Sequence, residues 1–211
     1  MSGKKLLQSV VPRIIGANHS FSIHSFSGIG HIPKGMGSPS AARQKMLLDK
    51  LPSLLQAYGT TFSSKNYQPP NTPPAVIIVC DLDDKDFRVF LGQLQGMLTR
   101  CNPRPNAFFC IAVEEEEAWL LGDIPAVKSA YPKATNAVLN NYCNDSICGT
   151  WETLADAIYP GGRRGLSKKG WPYVGTEKCS WAIRISSYMN VQTNKSVSFC
   201  FFRDRVRNLA P

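Results

Sequence analysis

Apolar residues at Leu6, Leu7, Val10, Val11 and Ile14 recur close to every 3.6 positions, so the chain opens in a helix over residues 4–16, bent by Pro12 and stopped at Gly16. Across residues 20–26, Phe21 and Ile23 alternate with polar neighbours, the period of a strand, and the glycine-rich GIGHIPKGMGS that follows reads as a loop. A second helix, capped by Ser40, carries Met46, Leu47, Leu51, Leu54 and Leu55 on one face and has Gly59 as its natural stop. The segment YQPPNTPP behind it is a stiff loop.

The pattern then changes. Val76, Ile77, Ile78 and Val79 are continuously apolar, which predicts a strand covered on both faces and therefore a parallel sheet. Phe87, Phe90, Leu91, Leu94 and Leu98 form a helical stripe, and residues 107–113 (AFFCIAV) form a second buried strand, completing a βαβ unit. Both strands run into acid, CDLDDKD after the first and EEEE after the second. From Pro132 onward the pattern is helical: residues 151–158, then a glycine-rich basic loop YPGGRRGLSKKGW, then residues 177–189 and an amphipathic stretch over 196–209. The organisation expected is one domain, an α/β core over residues 1–131 with a helical, loop-rich extension over 132–211.

Composition narrows the class. With 211 residues, 43% hydrophobic and 18% charged, the chain fits one globular domain and excludes collagen-like, coiled-coil and disordered classes. It is long enough to bury a core without disulfides or a structural metal. Its apolar runs fall far short of the ~20 residues that span a bilayer, so no membrane partner is expected. Gln8, Ser9, Pro12 and Arg13 interrupt the apolar start, which reads as a helix and not as a secretory signal. Seven cysteines without a Cys-x-x-Cys pair, with Cys80, Cys110 and Cys200 inside apolar runs, suit a reducing cytoplasm. Cys143 and Cys148 could join His19, His24 or His31 at a zinc ion, although the spacing matches no common zinc module.

Charge is the most informative feature. The net charge is +9, yet of 15 acidic residues eight fall in two patches: Asp81, Asp83, Asp84 and Asp86, then Glu114, Glu115, Glu116 and Glu117. In an open α/β sheet ligands bind at the carboxyl ends of the strands, where both patches lie. Extended geometry points Asp81 and Asp83 to one side, so two hard oxygen ligands converge, and a divalent cation relieves the repulsion between them. Glu114 and Glu117, three apart on a helix, share a face, and either could complete the coordination. The plainer alternative is that these acids begin the helices that follow and favour their positive ends.

Around the acid the chain is basic, with Arg163, Arg164, Lys168 and Lys169 in the glycine-rich loop and Arg203, Arg205 and Arg207 near the end. Acid within a basic rim suits metal-dependent phosphodiester chemistry on DNA or RNA, the cations holding the backbone while a metal activates water. For any single cation the alternative is a solvated surface charge. No phosphate-binding glycine loop follows a strand, which disfavours NTPases and dinucleotide enzymes, and no Gly-x-Ser-x-Gly elbow marks a triad hydrolase.

The segments VIIVCDLDD, FCIAVEEEEAWLLGD, GTWETLADAIYPGG, VGTEKCSWAIRI and SVSFCFFRDRV, in that order, resemble a bacterial family of unknown function with a Toprim-like core, over most of the chain. The fold is shared by topoisomerases, primases and overcoming-lysogenization-defect nucleases, and related proteins act beside ABC-type ATPases in phage defence. The resemblance implies a small, mainly parallel sheet flanked by helices. Its Asp-x-Asp is similar to Asp81 and Asp83, its glutamate falls at Glu117, and Lys178 in GTEK looks like a family position that contacts phosphate. Mg²⁺ or Mn²⁺ is the implied cofactor; nucleic acid, an ABC-type ATPase and a second copy of the chain are the implied partners. Such domains begin with a strand ending in glutamate, whereas this sequence begins in the helix after it; either the chain is part of a longer protein or this version lacks that strand. Two functions follow as expectations: a metal-dependent nuclease-like effector with Glu117 and Lys178 in catalysis, or a non-catalytic nucleic-acid-binding or ATPase-binding subunit.

Overall fold

The computed structural model of the chain describes residues 1–33, 46–67 and 73–210. The expected Ser40 cap, the end of the GIGHIPKGMGS loop and the middle of YQPPNTPP lie outside the described residues. The elements in chain order are α1 (Ser2–Ile15), α2 (Leu47–Phe62), β1 (Val76–Asp81), α3 (Phe87–Thr99), β2 (Ala107–Ala112), α4 (Glu117–Leu121), α5 (Ile124–Ala130), α6 (Asn136–Asn140), α7 (Thr150–Ile158), α8 (Gly162–Ser167), α9 (Trp171–Tyr188) and α10 (Val197–Leu209).

The βαβ unit read from the sequence is present. β1 and β2 pair in parallel, from Val76 opposite Ala107 to Asp81 opposite Ala112, with α3 as the crossover. Alternation along the strands divides the interior in two. Ile78, Cys80, Phe109 and Ile111 pack against α2 and α3 through Leu51, Leu55, Phe90 and Leu94. The opposite face, with Ile77, Val79, Cys110 and Ala112, meets the larger core built from α1, α4, α5, α7, α9 and α10 around Trp119, Trp181 and Phe199. Helices therefore cover both faces, which is why the strands are continuously apolar. Asp81 has the parity of Ile77 and Val79 and so belongs to the α1/α9 side.

Side chains close the helix ends. Asp86 accepts a hydrogen bond from Val89 N at 2.9 Å to start α3, Asp123 from Ala126 N at 3.1 Å to start α5, and Ser196 from Phe199 N at 3.1 Å to start α10. Two of these caps are acids, as helix starts favour. α1 lies along α9, fastened where Arg13 donates to the carbonyls of Met189 (2.7 Å) and Ser186 (2.6 Å).

Several expectations are corrected. Residues 20–26 form no strand: they have no regular structure, and the sheet among the described residues has two strands. Alternation there reports only local capacity, and Phe21 stays exposed with no strand beside it. α2 does not stop at Gly59 but runs on to Phe62. Gly59 serves contact instead, because a Cβ there would overlap the carbonyl oxygen of Pro103. The basic glycine-rich loop folds partly as α8, and α9 starts at Trp171, ahead of residue 177, since Pro172 in its first turn loses no hydrogen bond by lacking an N–H. Cys80 and Cys110 are buried as expected, whereas Cys200 is half-buried, its thiol donating to Asn194 O at 3.1 Å. Among the described residues no helix is long and apolar enough to cross a membrane.

Candidate functional site

The two acidic patches meet at the carboxyl ends of β1 and β2, and α9 adds a lysine to them. Lys178 Nζ lies 3.1 Å from Glu117 Oε2 and 3.2 Å from Glu115 Oε1, bridging two carboxylates from more than sixty residues away in sequence. Glu117 is 2% exposed, in the first turn of α4. Glu116 reaches α1, accepting from Ser2 Oγ at 3.4 Å, and its carboxylate fills the space that any side chain at Gly3 would need. Asp81 stands among these groups, and its Oδ1, like Glu115 Oε2, is buried with no hydrogen-bond partner among the described residues.

Four carboxyl groups and one ammonium in a largely buried cluster perturb each other strongly. Burial holds the Asp81 carboxyl well above the usual carboxylate range, and Glu116 and Glu117 add to the effect while Lys178 opposes it. Burial, then Glu117, pushes Glu116 up to about 7. Glu115 and Glu117 are also raised by burial, against the pull of Lys178. Lys178 itself stays raised: burial acts to lower it, and the Glu117 and Glu115 carboxylates more than offset that. Such a concentration of shifted groups marks this cluster as the candidate site.

Two residues of the expected metal set sit differently. The strand ends at Asp81, and Asp83 takes a left-handed backbone (φ 51°), so the alternation that would align the two breaks between them. Asp83 instead pairs with Lys85 at 2.8 Å and, with Asp84, Glu114, Glu115, Trp151 and Glu152, lines a separate cleft of about 280 Å³. Glu114 is not on a helix with Glu117: it too is left-handed (φ 60°), and α4 begins three residues later. Its carboxylate accepts from Gly149 N (2.8 Å), Thr150 N (3.0 Å), Thr150 Oγ1 (2.8 Å) and Cys148 N (3.1 Å), closing the N-terminus of α7. The structure thus brings Asp81, Glu117 and Lys178 together, leaves Asp83 and Glu114 outside, and adds Glu115 and Glu116, which the i, i+3 argument had passed over.

Among the described residues no group of three or more His, Cys, Asp or Glu is arranged as a ready-made metal cage. The donor chemistry nevertheless suits a hard divalent cation, because the candidates are carboxylate oxygens, two of them buried without partners, with one ammonium among four acids. Cys143 and Cys148 are exposed free thiols.

The basic residues divide as well. Arg203 pairs with Asp204 at 2.7 Å, and Arg205 lies over the rings of Phe108 and Phe201, so the C-terminal arginines serve α10. Arg163 donates to Asp156 at 2.8 Å yet remains exposed, as do Arg164, Lys168 and Lys169, along α8 and its junction with α9. Next to them Trp171, 73% exposed, stands edge-on to Trp151 with ring centroids 5.9 Å apart.

No family model, no curated protein and no solved structure matches the chain.

Proposed function

We propose that the chain is a Toprim-like, metal-dependent phosphodiester-cleaving protein whose centre is Asp81, Glu117 and Lys178. The observation that supports this most is the buried Asp81 oxygen without a partner, beside three glutamates and a single lysine, at the carboxyl end of a parallel sheet. Asp81 and Glu117, with Glu115 or Glu116, would hold Mg²⁺ or Mn²⁺. A bound ion of this kind supplies Lewis acidity toward a phosphoryl oxygen and a more acidic water. Glu117, fixed by the first turn of α4 and by Lys178, would complete that ion's shell or position the attacking water. Lys178 keeps its charge and orients Glu115 and Glu117, and as a cation at the same point it can also meet a phosphate oxygen. Nucleic acid is the substrate class that matches the basic α8–α9 face.

The test is calorimetric titration of Mn²⁺ into the purified chain and into Asp81→Ala and Asp83→Ala variants. Stoichiometric binding lost in Asp81→Ala and kept in Asp83→Ala is expected. Absence of binding in the parent chain refutes the metal reading and favours a non-catalytic nucleic-acid-binding or ATPase-binding subunit.

A further inference from the structure

The face beside the acidic centre carries an aromatic surface that the metal chemistry does not use. Trp171 is the first residue of α9, is 73% exposed, and stands edge-on to Trp151. A large indole left to solvent on a rigid helix calls for an explanation, since its burial elsewhere in the core would stabilise the fold. Trp151 in turn lines the separate cleft with Asp83, Glu115 and Glu152, and Glu115 also pairs with Lys178, so the two indoles run from the α8–α9 surface toward the site. Around Trp171 the exposed charges are positive: Lys168 and Lys169 just before it, Arg163 and Arg164 on α8, with Tyr173, also exposed, two residues on.

The helix sets the distance. Trp171 and Lys178 are seven residues apart in α9, two turns along one face, which is about 10.5 Å of rise. That is about three nucleotides of stacked strand at 3.4 Å each. A strand with a base stacked on Trp171 and running along α9 would draw level with Lys178 about three nucleotides on. An intact duplex keeps its bases inside the helix and offers no ring to Trp171; a single strand does.

From this geometry we infer that the chain takes single-stranded nucleic acid, with Trp171 as the platform on which a base stacks and Lys168, Lys169, Arg163 and Arg164 as the groups that hold the flanking phosphates. The inference rests on the proposed function for the placement of the cleaved bond, but the stacking contact is separable from the metal.

The experiment measures binding without cleavage. Fluorescence anisotropy in EDTA follows labelled twelve-nucleotide oligo-dT, oligo-U and a duplex of equal length, with the parent chain, Trp171→Ala, Trp171→Phe and the pair Lys168→Ala with Lys169→Ala. Trp171→Ala should lose about 5- to 150-fold of single-strand affinity, Trp171→Phe should keep most of it, and duplex affinity should not change. Removing both lysines should flatten the salt dependence by about 1.4 in the log–log slope. The better of the DNA and RNA oligomers identifies the sugar. Unchanged single-strand affinity in Trp171→Ala, an equal loss on the duplex, or no single-strand binding by the parent overturns the inference. Because Trp171 is exposed, an unaltered melting temperature confirms that its variants fold. A chain that binds Mn²⁺ through Asp81 but is indifferent to Trp171 loses this inference and keeps the metal reading; one that needs Trp171 for single strands but binds no Mn²⁺ does the reverse.

Discussion

Replacing Lys178 by methionine removes the one cation that, among the described residues, pairs with Glu115 and Glu117, while keeping most of the side-chain volume. The Lys178 side chain is 20% exposed and those of its partners 24% and 2%, so these contacts lie largely outside water. At this separation a unit charge pair is worth about 5 kcal/mol at an effective dielectric of 20. Removing one partner of a buried pair costs about 3–5 kcal/mol because the other is left uncompensated. For a chain of this size each kcal/mol moves the melting temperature by about 2–4 °C, so Lys178→Met should melt about 6–20 °C below the parent near pH 8. The sign of the pH effect follows from the directions of the shifts. Asp81, Glu115, Glu116 and Glu117 all hold protons more tightly folded than unfolded, so these groups cost stability as pH rises from the ordinary carboxylate range near 4.5 through their raised values, about 7 for Glu116. Lys178 opposes that rise in Asp81, Glu115 and Glu117; without it they climb further and the penalty at high pH grows. The contribution of Lys178 itself, whose folded value lies above 10.5, is fully present at pH 8 and is lost only as the pH rises through that higher value. Melting curves in low salt near pH 5, 6.5 and 8 should therefore show a gap that narrows toward pH 5, with Lys178→Arg close to the parent. A gap under about 2 °C at pH 8, or one that widens in acid, would refute the electrostatic account.

Glu114→Ala should destabilise the chain by about 2–3 kcal/mol, measured by urea denaturation, because three backbone N–H groups and the Thr150 hydroxyl lose their shared acceptor; Mn²⁺ binding should survive in that variant, and a loss of binding without loss of stability would contradict the helix-closing role. Gly59→Ala, which in an open helix would stabilise by about 1 kcal/mol, should instead lower stability by about 1–3 kcal/mol through its clash with the Pro103 carbonyl; a rise in the urea midpoint would show that the loop yields.

The core of the fold was legible because burial on both faces writes itself as uninterrupted Val, Ile, Phe and Cys. Residues 20–26 were misread for a complementary reason: alternation is necessary for a half-buried strand, but a strand also needs a hydrogen-bonded neighbour, and that is a property of distant chain. Asp81, Glu117 and Lys178 could be singled out one at a time, while their meeting depends on how α9 crosses the sheet. Asp83 and Glu114 were assigned by strand and helix periodicity, and both sit where the backbone turns left-handed, so neither period applied to them. Glu115 and Glu116 left a weaker signal, as members of the glutamate run that follows the buried strand. Trp171 left none, because its significance is its exposure.

The packing of α1 along α9 has a consequence for synthesis. Leu6, Val10, Val11 and Ile14 are buried in the finished protein within the core that Trp181 and Ile185 of α9 help to build. A ribosome adding about 5–20 residues per second needs on the order of ten to thirty seconds to pass from the end of α1 to the start of α9. Throughout that interval the apolar stripe of α1 has no α9 to cover it, and the ammonium that steadies Glu115 and Glu117 has not been made. α1 thus leaves the ribosome well ahead of α9 and cannot settle until α9 follows, which makes the nascent chain a natural client for chaperones that hold exposed hydrophobic helices.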